Sequence, residues 1–191
     1  MREAFIKRQT RETDIEIKLN LDGKGNANIS TGIGFFDHML TALCVHGSFN
    51  LDVKVKGDLN VDCHHTIEDT GIVLGQAFNE ALKDMPITRY GSAFVPMDEA
   101  LGFASLDISN RPFLVFDCDF SDKKIGDMDT NMFIEFFRAF AFNAKITLHL
   151  KSIYGANDHH KVEALFKALA HSLKTALVLK DGDILSTKGT L

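Results

Sequence analysis

Two adjacent histidine pairs, His64-His65 and His159-His160, are each followed at the same distance by a glutamate, Glu68 and Glu163. On a helix, the glutamate shares a face with one histidine of its pair and can grip one ion with it. The other histidine points about 100° away. One such element can therefore serve two metals. Imidazole plus carboxylate, with no thiolate to force zinc or copper, suits Mn²⁺, Fe²⁺ or Zn²⁺. One pair alone reads most simply as a solvated helix start. Two pairs 95 residues apart in a chain of 191 read as a ligand set drawn from two related halves. Further donors should lie on the preceding helices, where His38 and Glu135 stand 97 residues apart, close to the repeat offset. His46, His149 and His171 lack that register and read as core, strand-face or surface residues.

The elements that must position these groups also repeat. LDVKVKGDLN and KITLHLKSI alternate apolar and polar residues, and each meets its histidine pair through a short polar connector, VDC or YGAND. Helical periodicity follows each pair, through Ile67, Ile72, Leu74, Ala77, Phe78 and Ala81, and through Val162, Leu165, Phe166, Leu169 and Leu173. Upstream helices are expected at 34–46 and 131–143, the second after Asp127-Met128-Asp129-Thr130, which supplies an N-cap candidate. Strand candidates precede them at 5–8 with 15–21, and at 93–95 through 101–108, with 113–116 continuing beyond Asn110-Arg111-Pro112. The pattern is an α+β fold, β-β-α-β-α written twice. Its halves are about 1–87 and 88–180, meeting near Pro86 to Arg89, and a tail covers 181–191.

Composition removes several function classes. Lysine and arginine number 21 against 26 aspartates and glutamates, and they are scattered, so the basic footprint of a nucleic-acid or anionic-membrane binder is missing. No apolar run approaches the roughly 20 residues of a membrane span. The start, MREAFIKRQT, lacks the apolar core of an export signal, so a soluble, cytoplasmic protein is expected. Cys44, Cys63 and Cys118 are odd in number and spaced like neither a disulfide framework nor a zinc knuckle, and they read as small buried hydrophobes.

STGIGFFDHML, DCHHTIEDTGIVLGQA, PMDEALGFASLDISNRP, EFFRAFA, TLHLKSIYGANDHHKVEALFKALA and STKGTL together resemble the imidazoleglycerol-phosphate dehydratase family over almost the whole chain. The resemblance implies helices packed between two mixed four-stranded sheets, and loss of water from imidazole glycerol phosphate to give imidazole acetol phosphate in histidine biosynthesis. It also implies two Mn²⁺ per active site and a 24-mer with metal sites at subunit contacts. Carried over position by position, the metal ligands fall on His38, His64, His65, Glu68, Glu135, His159, His160 and Glu163. Some relatives have histidine where this chain has Glu135, which adds negative charge to the site. The suggested partition puts His65, Glu68, Glu135 and His159 on one ion and His160, Glu163, His38 and His64 on the other. The family-like ending also suggests a complete, monofunctional chain.

The reaction removes a carbon-bound proton and a hydroxyl from adjacent carbons with no carbonyl to hold the charge. The substrate's imidazole can act as electron sink if metals bind its nitrogens and favour the deprotonated ring. The resemblance places carboxylates Glu12 and Asp98 near the reacting carbons, with Glu12 handling the proton. It assigns the substrate phosphate to Arg89, Arg111, Lys167, Ser186 and Lys188. Two other readings fit the same ligands: an assembly that stores or senses metal without turnover, and a dinuclear hydrolase.

Overall fold

Alternation sends every second side chain of a strand to the same face, and in the opening hairpin it gives the second strand a buried apolar face. A computed structural model of the chain describes residues 2–83 and 85–182. In it β1 (Glu3–Gln9) pairs antiparallel with β2 (Thr13–Asn20), whose Ile15, Ile17 and Leu19 point inward. Then come β3 (Ala27–Ser30), α1 (Gly34–Gly47), β4 (Asn50–Gly57) and α2 (His64–Leu82). The second half runs β5 (Tyr90–Met97), β6 (Ala100–Ile108), β7 (Phe113–Asp117), the two-residue strands β8 (Lys124–Ile125) and β9 (Met128–Asp129), α3 (Met132–Asn143), β10 (Ile146–Tyr154) and α4 (Asp158–Ala176).

The sheets have matching orders, β1-β2-β4-β3 and β5-β6-β10-β7. In each, the last pair is parallel because a helix crosses over between its strands, and the other pairs are antiparallel, so both sheets are mixed. Each half therefore holds one strand more than β-β-α-β-α. In the second half Phe113–Asp117 is a strand in its own right, parallel to β10. In the first half β3 escapes the pattern because it has four residues, three of them exposed, at a sheet edge. The candidate cap at 127–130 also differs. Asp129 ends β9, and the Thr130 hydroxyl donates to the carbonyls of Asp122 and Lys123 instead of accepting from the helix.

Helices α1 and α2 cover the first sheet and α3 and α4 the second, with α2 lying on α3 and α1 on α4. Between the sheets, phenylalanines from all four helices interlock. Phe36 meets Phe136 edge-on at 5.2 Å, Phe136 stacks with Phe166 at 5.5 Å, and Phe78 meets Phe140 at 5.3 Å. Each is fully buried, a contribution of roughly 2–3 kcal/mol apiece before entropy is counted. Close approach needs glycine at a few points. A Cβ on Gly75 of α2 would sit 2.6 Å from the Phe140 carbonyl oxygen of α3, and one on Gly91 of β5 would sit 1.9 Å from the Ser172 carbonyl oxygen of α4. These contacts fix how α1, α2, α3 and α4 present their N-terminal turns, where the candidate ligands stand.

Candidate metal centre and active site

Packing of α1 on α4 brings His38 against the first turn of α4. His38 Nε2 lies 3.4 Å from Glu163 Oε2, and His159 Nε2, one turn before Glu163, lies 3.3 Å from the same oxygen. These three donors all lie within 4.8 Å of one another. Donors bound to one first-row ion through bonds of about 2.0–2.2 Å stand roughly 3.0–3.5 Å apart, so the spacing suits a shared ion, and the N/O donor set suits manganese, iron or zinc. Phe35 braces the rings from the side, its centroid 4.9 Å from that of His159 and 6.4 Å from that of His38. Glu163 is only 9% exposed. Burial alone would raise its carboxyl, but the Lys167 ammonium bonded to its Oε1 at 2.7 Å, together with His38, holds it below the ordinary glutamate value.

The counterpart in the other half is His64, Glu68 and, by register, Glu135. His64 Nε2 stands 3.3 Å from Glu68 Oε2, repeating the His159–Glu163 geometry. Glu135 instead pairs with Arg138 one turn along its own helix, and among the described residues it joins no ligand cluster. Within one copy, helix packing decides which donors meet. His159 shares its contacts with His38 and Glu163, not with His65, Glu68 and Glu135, through its i,i+4 neighbour and the facing helix.

The second histidine of each pair points elsewhere, as helical geometry requires, and meets two carboxylates. His65 Nδ1 lies 3.0 Å from Asp58 Oδ2, and its Nε2 lies 3.8 Å from Glu12 Oε1. His160 Nδ1 lies 2.7 Å from Glu99 Oε2, and its Nε2 lies 3.7 Å from Asp98 Oδ2. The bond to Asp58 raises the His65 imidazole above its ordinary value, and the bond to Glu99 does the same for His160. Glu99 is pulled down to about 2 by backbone N–H donation from Asn157 and by His160. The turn carrying Glu12 is braced: Thr10 Oγ1 accepts from the amides of Glu12 and Thr13, and Thr13 Oγ1 donates to Asp69 at 2.6 Å. Asp69 also pairs with Arg8 at 2.6 Å. Asp98 occupies the two-residue turn between β5 and β6 with φ of 47°.

The candidate phosphate ligands divide into two groups. Lys167 sits on α4 beside Glu163, its Nζ 3.4 Å from Met97 Sδ. Arg89 precedes β5, forks Asp107 at 2.6 and 3.0 Å, and lies over the Tyr90 ring. Arg111 reaches the same Asp107 at 3.9 Å and is 71% exposed. Arg89 and Asp98 flank opposite ends of the eight-residue β5, which separates them by about 26 Å. Ser186 and Lys188 lie outside the described residues.

Sequence reasoning missed Asp58, Glu99 and Asp69. Glu99 adjoins Asp98 in PMDEA and could have been caught with it. Asp58 was hidden by the repeat itself, because Gly155 follows the equivalent strand in the second half. His46, read as a bystander, lies 5.5 Å from His171 between ring centroids with the rings tilted by 57°, and burial, then the Lys167 charge, lowers its imidazole below the ordinary value.

Comparison with known proteins gives one consistent answer. The family described as "Imidazoleglycerol-phosphate dehydratase" matches residues 31–173. Relatives carrying that name include one from Acetivibrio thermocellus, 55% identical over all of this chain and 99% of its own, and one from Methanosarcina mazei, 54% identical over all of both chains. Solved structures agree. That of imidazoleglycerol-phosphate dehydratase from Staphylococcus aureus superposes with TM-score 0.84 at 39% identity, covering 93% of this chain and all of the other. The Pyrococcus furiosus enzyme, solved in complex with (S)-C348, superposes with TM-score 0.86 at 37% identity, covering 97% of this chain and all of its own.

Proposed function

The chain belongs to the imidazoleglycerol-phosphate dehydratase family and is a hydro-lyase, and on that premise we propose that it dehydrates imidazole glycerol phosphate to imidazole acetol phosphate, in histidine biosynthesis, in a metal-dependent way. The observation that carries the metal dependence is the convergence of His38, His159 and Glu163 from two helices. The proposed set is completed by His64, His65, Glu68, Glu135 and His160. Mn²⁺ is the proposed ion, two per site, as the family resemblance implies, and an imidazole and carboxylate donor set suits it. When bound, such ions polarise the imidazole ring and stabilise the charge left by proton loss.

The chain's own groups do the rest. Glu12 and Asp98 stand before the Nε2 atoms of His65 and His160, with about half or more of each carboxylate open to solvent, so both are free to face a ligand held there. Glu12, on its threonine-braced turn, is the proposed acceptor of the carbon-bound proton. The hydroxyl of the adjacent carbon leaves and, with the proton given up to Glu12, accounts for one water, and the enol that results becomes the ketone by moving its hydroxyl proton to carbon. Lys167, Arg89, Arg111, Ser186 and Lys188 are the proposed phosphate ligands, which orient the reacting carbons from a distance.

A three-carbon phosphate ester of imidazole spans under about 10 Å. It cannot bridge the roughly 26 Å between Arg89 and Asp98 along one β5. This separation supports a site shared between copies of the chain, with the family's 24-mer as the proposed assembly. Among the described residues no helix is long and apolar enough to cross a membrane, and a cytoplasmic location is proposed. The decisive experiment incubates the metal-replete protein with imidazole glycerol phosphate and follows the phospho-ketone. Product that disappears with chelator and returns with Mn²⁺ is expected; metal-replete protein that forms none would overturn the reading.

A further inference from the structure

The two histidines that turn away from their helix's own glutamate, His65 and His160, sit in the same chemical setting built from different parts of the chain. Each has a carboxylate on Nδ1 and a second one facing Nε2. The Nε2-facing groups, Glu12 and Asp98, come from equivalent turns, β1 to β2 and β5 to β6. The Nδ1 partners do not. Asp58 is the residue that follows β4, and the residue that follows β10 is Gly155, where a Cβ would lie 2.7 Å from Lys161 Cγ and 2.8 Å from Ala100 Cβ. That place admits no side chain. In the second half Glu99 does the work from the neighbouring turn, clamped by N–H groups of Ala156 (3.1 Å) and Asn157 (2.8 Å) on Oε1 so that Oε2 meets His160 at 2.7 Å. Duplication of a half would have produced equivalent partners. The recurrence of one geometry from non-equivalent positions points to a demand of the site itself.

We propose that Asp58 and Glu99 are positioning residues that hold the Nδ1–H tautomers of His65 and His160 and so reserve both Nε2 lone pairs for a divalent cation. A carboxylate without a proton can only accept, so each Nδ1 must donate and each Nε2 is left as an acceptor. This rests on the metal-dependent reading above.

The test uses the full chain, ¹⁵N-labelled at histidine and freed of metal, at alkaline pH where both imidazoles are neutral. Wild type should show His65 and His160 as Nδ1–H tautomers by ¹⁵N NMR. Glu99→Gln is the sharper variant. Its carbonyl oxygen keeps the two backbone donors, which turns its NH₂ toward His160 Nδ1 and forces the proton onto Nε2. His160 should switch tautomer while His65 keeps its own, and Asp58→Asn should release His65 alone. Mn²⁺ titration of either variant should show roughly 10- to 100-fold weaker binding at the affected site, with thermal unfolding reporting that the variants are folded. Nε2–H tautomers in wild type, or variants that bind Mn²⁺ as tightly as wild type, would overturn the proposal. Wild type that takes up no divalent ion while keeping both Nδ1–H tautomers would instead sink the metal-dependent reading on which it rests.

Discussion

Gly75→Ala sets two effects of opposite sign against each other. In the middle of α2, alanine is intrinsically the better helix former by about 1 kcal/mol. The structure says packing wins. The new methyl would stand 2.6 Å from the Phe140 carbonyl oxygen, 2.7 Å from Asn143 Cβ and 2.8 Å from the Ala144 nitrogen, against ordinary contacts of about 3.4 Å or more. Two of these are backbone atoms at the end of α3, which is itself packed against the second sheet and has little room to retreat. Forcing the helices apart by most of an ångström belongs at the upper end of overpacking costs, about 3 kcal/mol. The net loss is about 2 kcal/mol, a Tm lower by roughly 4–8 °C for a chain of this size. The companion Gly71→Ala meets the Phe136 carbonyl oxygen at 2.8 Å and Ala139 Cβ at 2.9 Å, beside Glu135. It should lose stability too and, unlike Gly75→Ala, also weaken metal binding. The assay is thermal unfolding of the metal-loaded protein at fixed concentration, followed by Mn²⁺ titration well below Tm. A Tm for Gly75→Ala that stays level or rises, as helix propensity alone would give, refutes the claim that α2 and α3 are in backbone contact.

Lys167→Met keeps the buried stem of the side chain and removes its charge. KM for the phosphorylated substrate at saturating Mn²⁺ should rise roughly 10- to 150-fold, the equivalent of about 1.5–3 kcal/mol for one charged hydrogen bond; steady-state kinetics with unchanged KM would remove Lys167 from phosphate binding. Glu12→Gln should spare metal content and cut turnover roughly 10²- to 10⁴-fold, and full turnover would take Glu12 out of the proton transfer. Because His65 and His160 hold their protons more tightly than an ordinary histidine, metal must displace them, so Mn²⁺ affinity should fall as pH drops, with proton release on binding; calorimetry in buffers of different ionisation heat that finds no proton release counts against it. The same imidazoles stabilise the metal-free fold below the unfolded histidine pKa and lose that contribution as pH rises through their raised values, whereas Glu99 contributes above about 4.5 and loses its contribution as pH falls towards about 2.

What could be read in advance follows from the range of each interaction. The histidine pairs, their glutamates and the alternation of LDVKVKGDLN carry their meaning within a few residues, so helices beginning at His64 and near His159, and the strands before them, were legible. Strand β3 was not, since four mostly exposed residues at a sheet edge bury too little to leave a period. Ligand sharing was not either. That His159 meets His38 depends on α1 lying on α4, a contact across more than 100 residues of chain. Glu12 and Asp98 were pointed to by the family resemblance alone, and Asp58 carries no mark in the sequence because the two halves supply the Nδ1 partner from different places.

The span of β5 carries a genetic consequence. If Arg89 of one copy binds the phosphate of a substrate whose imidazole is held by another, a chain lacking that arginine and a chain lacking Glu163 are each inert alone yet carry complementary wounds. Co-expressed, they would form mosaics in which some pockets draw every group from an intact donor, so two crippled alleles would restore growth on medium without histidine that neither supports by itself.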